Sequence, residues 1–150
     1  MKNIGAGGIP IEVLLVEDSP GDVRLTQEAF REANPSIQLH VAPDGVEALA
    51  FLHHHGAYVD APCPDLIWLD LNLPKMDGRE VLSHIKNNDE LKTIPTVILT
   101  TSNAEADVAK SYELQANCYL TKPVHLEAFE VLVKSINDFW LTKVELPQQG

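Results

Sequence analysis

Short apolar runs alternate with segments of helical spacing five times along the chain, the pattern of repeated strand and helix units on a parallel sheet. The predicted strands are Ile11–Val16, Ile37–Ala42, Leu66–Asp70, residues 96–99 and Cys118–Thr121. Their near-continuous hydrophobicity predicts strands covered on both faces. Ser19-Pro20 offers an N-cap serine with proline at the first helical position, opening a helix to about residue 33. Asp44-x-x-Glu47, Asp77-x-x-Glu80 and Ser102-x-x-Glu105 have capping-box spacing or its aspartate variant and open the second, third and fourth helices. A fifth helix is expected over 125–141.

No internal repeat or interdomain linker interrupts this pattern, and 150 residues suit one domain. The expected organisation is a short glycine-rich tail over 1–10, one domain over 11–141, and a carboxyl-terminal arm over 142–150. The start of the chain lacks the apolar core of a signal peptide, and no stretch approaches the roughly 20 apolar residues of a membrane span. Cys63 and Cys118 form neither a disulfide framework nor a zinc spacing. A cytoplasmic protein is expected, without membrane attachment. Eleven basic residues against 22 acidic ones, a net charge of −11, argue against direct nucleic-acid binding.

Chemistry gathers at the predicted strand ends. Open α/β sheets bind ligands outside the carboxyl ends of their strands. There the first, third, fourth and fifth strands offer Glu17 and Asp18, Asp70, Thr100 and Lys122. Clustered carboxylates repel one another, and a hard cation relieves the repulsion. Mg²⁺ fits, since it prefers oxygen ligands and commonly joins a few carboxylates to a phosphoryl group. Asp18 and Asp70 are expected as direct ligands, Glu17 through water, and Asn72 through its backbone carbonyl. The metal would align a phosphoryl donor with the Asp70 carboxylate, the nucleophile, while Lys122 and the Thr100 hydroxyl hold its oxygens.

Other residues support blander readings. His53-His54-His55 is expected to be a solvated helix end, because consecutive helical side chains diverge and chelate poorly. Cys63 reads as a loop thiol, Cys118 as a small packed residue, Met76 as packing, and Asp77-Gly78 as a loop and helix cap.

Four motifs in order resemble the receiver domain of two-component response regulators. They are Leu-Val-Glu-Asp-Ser-Pro at 15 to 20, Leu-Asp-Leu-Asn-Leu-Pro-Lys-Met-Asp-Gly at 69 to 78, Leu-Thr-Thr-Ser at 99 to 102 and Tyr-Leu-Thr-Lys-Pro at 119 to 123. The resemblance covers roughly residues 11 to 140. It implies an α/β fold with a five-stranded parallel sheet in the flavodoxin-like order 2-1-3-4-5 and five helices on both faces. It also implies phosphorylation of Asp70 by a histidine kinase, with Thr100 and Tyr119 as the switch that changes the surface of the fourth helix, fifth strand and fifth helix. Thr101 stands where the family usually has a smaller residue, which bears on rate.

A narrower resemblance lies in Asp-Gly-Arg-Glu-Val-Leu at 77 to 82, residues 112 to 122, Phe-Trp-Leu at 139 to 141 and Glu-Leu-Pro at 145 to 147. These look like the single-domain regulators paired with bacterial phytochrome histidine kinases. The implied assembly is a homodimer through the last helix and the arm, with Phe139, Trp140, Leu141 and Leu146 at the interface. Independently, Val131, Leu132, Phe139 and Leu141 lie off the core-facing stripe of Leu126, Phe129, Val133, Ile136 and Trp140, leaving a second apolar face to cover.

The expected function is therefore a phosphoacceptor that signals by binding rather than a turnover enzyme. Two alternatives remain open here: a phosphorelay intermediate that hands the group to a downstream histidine, and an aspartyl-phosphate phosphatase. The phosphatase pattern has a second acid two residues after the nucleophile, where this chain has Asn72. A flavin or nucleotide carrier would need a glycine-rich phosphate loop after the first strand, which is missing.

Overall fold

The computed structural model describes residues 11–33, 36–71, 73, 75–100, 118–121 and 134. Strand β1 (Ile11–Val16) is followed by α1 (Pro20–Ala33), β2 (Ile37–Ala42), α2 (Gly45–Leu52), a short 3-10 turn (Gly56–Tyr58), β3 (Leu66–Asp70), α3 (Gly78–Lys86) and β4 (Thr96–Thr100). β5 (Cys118–Thr121) pairs by its backbone with the far side of β4, so the parallel sheet runs β2-β1-β3-β4-β5. The fourth helix expected from the sequence lies outside the described residues, as does the fifth apart from Lys134, which is helical.

Side chains on successive strand residues face opposite ways, and here that alternation separates two cores. Leu14 and Val16 of β1, Ile67 and Leu69 of β3, and Ile98 of β4 pack with α2 and α3 through Ala48, Phe51, Leu52, Val81, Leu82 and Ile85. Val13, Leu15, Leu66, Trp68, Val97 and Leu99 face the other way, onto Ala29 and Phe30 of α1. Phe30 meets Trp68 edge to face with ring centroids 5.2 Å apart, a geometry worth ~0.5–1.5 kcal/mol beyond burial. In α3 the buried positions Gly78, Val81, Leu82 and Ile85 follow i, i+3, i+4, i+7, the stripe of an amphipathic helix.

Coverage on both faces holds for β1 and β3 but not for β2. That strand forms the sheet margin, and its Gln38 and Val41 are exposed. Its apolar run packs α1 through Ile37 and Leu39, while His40 Nε2 lies 2.7 Å from Glu12 Oε1 of β1.

The helix starts follow their caps. Val23 N–H donates to the Ser19 carbonyl at 2.9 Å, behind Pro20. Asp44 accepts from Glu47 N–H at 2.8 Å, the bond the capping box predicts. Asp77 instead accepts from Arg79 N–H at 2.7 Å and from the Arg79 guanidinium at 3.0 Å on both oxygens. The guanidinium draws the carboxylate one residue short of the box position.

Candidate functional site

The strand register brings the acids together. Val16 pairs with Leu69 across β1 and β3, so the next residues, Glu17 and Asp70, come level at the carboxyl ends of both strands. Asp70 also continues the alternation of Leu66 and Trp68, and Glu17 that of Val13 and Leu15, which carries both towards the α1 face. One carboxylate oxygen from each of Glu17, Asp18 and Asp70 lies within 4.8 Å of the others. Glu17 and Asp70 are buried, each 2% exposed, and Asp18 is exposed. The site is thus open through Asp18 and closed behind.

Backbone bonds hold this edge in place. Glu17 N–H donates to the Ala42 carbonyl at 3.0 Å, and Ser19 N–H to Glu17 Oε2 at 3.1 Å. Beyond Asp70, Leu71 N–H donates to the Leu99 carbonyl at 2.8 Å and Gly78 N–H to the Leu71 carbonyl at 3.0 Å. The loop after Asp70 is therefore tied to β4 on one side and to the start of α3 on the other.

Two glycines make that tie possible. A Cβ on Gly78 would fall on the Asp70 carbonyl oxygen and 2.5 Å from Leu71 Cα, and one on Gly45 would lie 2.7 Å from Val81 Cγ2 and 2.9 Å from the Met76 carbonyl. Lys75 in the same loop has φ of +64°, a left-handed conformation uncommon outside glycine, and its Nζ lies 3.4 Å from Asp44 Oδ2. Sequence reasoning identified Asp44 and Asp77-Gly78 as caps and a loop. It missed that Asp44 also meets Lys75 and that Gly78 carries the backbone of Asp70; the Asp-Gly pair closing the loop was the available signal.

The remaining expected site residues are placed in part. Asp70 is level with Leu99, and Thr100, one residue further, pairs with Thr121. Tyr119 pairs with Ile98 by backbone register. Lys122, Asn72, Phe139, Trp140, Leu141 and Leu146 lie outside the described residues. Cys63 is exposed, and burial, followed by Asp65 and Glu90, pushes its thiol up, the opposite of an activated nucleophile.

An all-oxygen set of three carboxylates at one strand edge suits a hard divalent cation rather than a thiolate- or imidazole-preferring one. Helices on both faces of a parallel sheet, with acids at the carboxyl ends of β1 and β3, are the architecture of a phosphoacceptor regulator. Residues 13–136 match the response regulator receiver domain, and the chain belongs to that family. It is 52% identical to response regulator Rcp1 of Synechocystis sp. over 92% of this chain and 94% of that protein. The solved Mn(2+)-bound form of Rcp1 superposes with a TM-score of 0.79, over 92% of this chain and 99% of that one. The phosphorylated cyanobacterial phytochrome response regulator RcpA has a TM-score of 0.80 and 47% identity, over 93% and 99% of the two chains. The chain is a receiver-type response regulator, and membership of the family implies phosphorylation of an aspartate by a kinase. Among the described residues no helix is long and apolar enough to cross a membrane.

Proposed function

We propose that Asp70 is the phosphoacceptor, supplied by a histidine kinase in a Mg²⁺-dependent reaction, and that the phosphorylated chain signals by binding a protein partner. The observation that carries this reading is the Glu17, Asp18 and Asp70 cluster, with its oxygens within 4.8 Å of one another. An Asp70 oxygen attacks phosphorus and the bond from phosphorus to the donor breaks. The product is an acyl phosphate, and the donor leaves with the electron pair. An ionised carboxylate needs no general base for this step. Mg²⁺, when bound, neutralises charge on the phosphoryl group as it transfers.

Asp18 and Asp70 hold the metal directly in this reading, Glu17 acts through water, and the Asn72 carbonyl completes the protein share. Lys122 and the Thr100 hydroxyl bind the phosphoryl oxygens. Thr100 with Tyr119 relays the change to the surface of β5 and the two helices that flank it. The receiver spans 11–141 in a sheet of five strands with five helices, with 1–10 as a tail. The arm over 142–150 joins the last helix in a homodimer through Phe139, Trp140, Leu141 and Leu146. The likeness to the phytochrome response regulator RcpA supports a light pathway with a phytochrome-type kinase, and the chain acts in the cytoplasm in this reading. The chain acts as a signalling protein, with loss of its own phosphoryl group as its only turnover.

Intact mass after incubation with acetyl phosphate tests the assignment. A gain of one phosphoryl group that needs Mg²⁺ and disappears in Asp70→Asn is expected. Equal labelling of the variant would move the nucleophile elsewhere.

A further inference from the structure

The three consecutive histidines do end α2, but they do not all face water. His53 is the C-cap, His54 follows with φ of +58°, and two bonds close the turn: His54 N–H to the Phe51 carbonyl at 3.2 Å and His55 N–H to the Ala50 carbonyl at 2.9 Å. This is the Schellman pattern with histidine in the left-handed position that glycine usually takes. It turns the His53 ring, half-buried, towards His84 of α3. The two Nε2 atoms lie 3.2 Å apart, with ring centroids 5.3 Å apart at 78°. His55 stacks on His53 with ring centroids 5.7 Å apart.

We propose that His53 and His84 form a two-imidazole site for a divalent transition-metal ion, clipping the end of α2 to α3. Zinc–imidazole bonds of about 2.0–2.1 Å put two nitrogens roughly 3.3–3.4 Å apart in tetrahedral and about 2.9 Å apart in octahedral geometry. The observed 3.2 Å falls between, a separation at which both nitrogens can share one ion.

A ligating imidazole must be neutral. A mere imidazole–imidazole hydrogen bond would use the same distance with one ring donating, and only a metal needs both Nε2 atoms deprotonated. The site is separate from the acid cluster, whose oxygens favour Mg²⁺, while nitrogen donors favour Zn²⁺. His84 is exposed, so water can fill the remaining coordination positions.

The test is titration of Zn²⁺ into the whole chain held in saturating Mg²⁺, by calorimetry and by nitrogen-detected NMR of the histidine rings. One Zn²⁺ site is expected, weakened at least tenfold in His84→Gln and in His53→Gln, with the Nε2 resonances of both histidines shifting in the wild type. Unchanged Mg²⁺ affinity in His84→Gln shows that the variant is folded. Zinc binding indifferent to both substitutions, or Nε2 resonances that do not move, would overturn the proposal and leave a hydrogen-bonded pair.

Discussion

Gly78 lies directly against the backbone of Asp70, so that the first residue of α3 supports the carbonyl of the acid that ends β3. The contact leaves no space for a side chain, and both neighbours are backbone atoms that cannot swing aside. Gly78→Ala must therefore push the loop over 71–77 away from β3. Overpacking of this kind costs ~1–3 kcal/mol. We expect a lower unfolding midpoint in urea, together with slower phosphorylation by acetyl phosphate. Gly21→Ala, where a Cβ meets nothing within 4 Å, should change the phosphorylation rate little.

Asp18 differs from its two partners in being exposed, so the metal can be separated from the fold through it. A ligand that binds only the native state stabilises it by ~2.7 kcal/mol at one hundred times its dissociation constant. The wild-type Tm should climb with Mg²⁺ concentration and return with a chelator. Asp18→Ala should match the wild type within about 0.5 kcal/mol in chelator, as surface substitutions do. It should lose most of the Mg²⁺-dependent rise; a full rise in the variant would take Asp18 out of the metal site.

The strand ends were legible in the sequence because apolar runs stop there at acids: Val16 gives way to Glu17-Asp18, and Leu69 to Asp70. The register that levels Glu17 with Asp70 follows from parallel pairing of those same runs. What the sequence hid was relationships between distant segments. Nothing near His53 announces His84, 31 residues away, since only the packing of α2 on α3 brings the rings together. The exposure of Val41 depends on β2 being at the sheet margin, a fact of strand order and not of its composition. The Asp77 cap shifted because Arg79 competes for the same carboxylate, a local interaction that spacing rules overlook.

Asp44 serves two elements at once, as the N-cap of α2 and as the partner of Lys75 in the loop after Asp70. The cap is buried and the lysine largely exposed, so the cap dominates the energetics. Asp44→Ala should cost ~1 kcal/mol, in the range of lost N-caps, as read from chemical unfolding. Lys75→Ala should cost at most about 0.5 kcal/mol, because an exposed ion pair contributes little. Equal losses in the two variants would show that the Asp44–Lys75 pair, not the cap, carries the effect.

Tyr58 closes the turn after α2 by donating its hydroxyl to Glu47 Oε1 at 2.6 Å. That hydrogen bond is the first cause of a tyrosine pKa raised above 10.0, followed by burial and the charges of Glu47 and Asp44. The protonated phenol is thus favoured in the folded state relative to the unfolded one. Its contribution is complete below about pH 10 and is lost as the pH rises through the higher folded value, because the unfolded chain releases its proton first. Tyr58→Phe removes the bond, at a cost of ~1 kcal/mol at neutral pH. The stability difference between wild type and Tyr58→Phe should be constant from pH 7 to about 9 and shrink above pH 10, as followed by urea unfolding at each pH. A difference that grows in alkali would mean that Tyr58 ionises more readily folded than unfolded, against the geometry of its bond to Glu47.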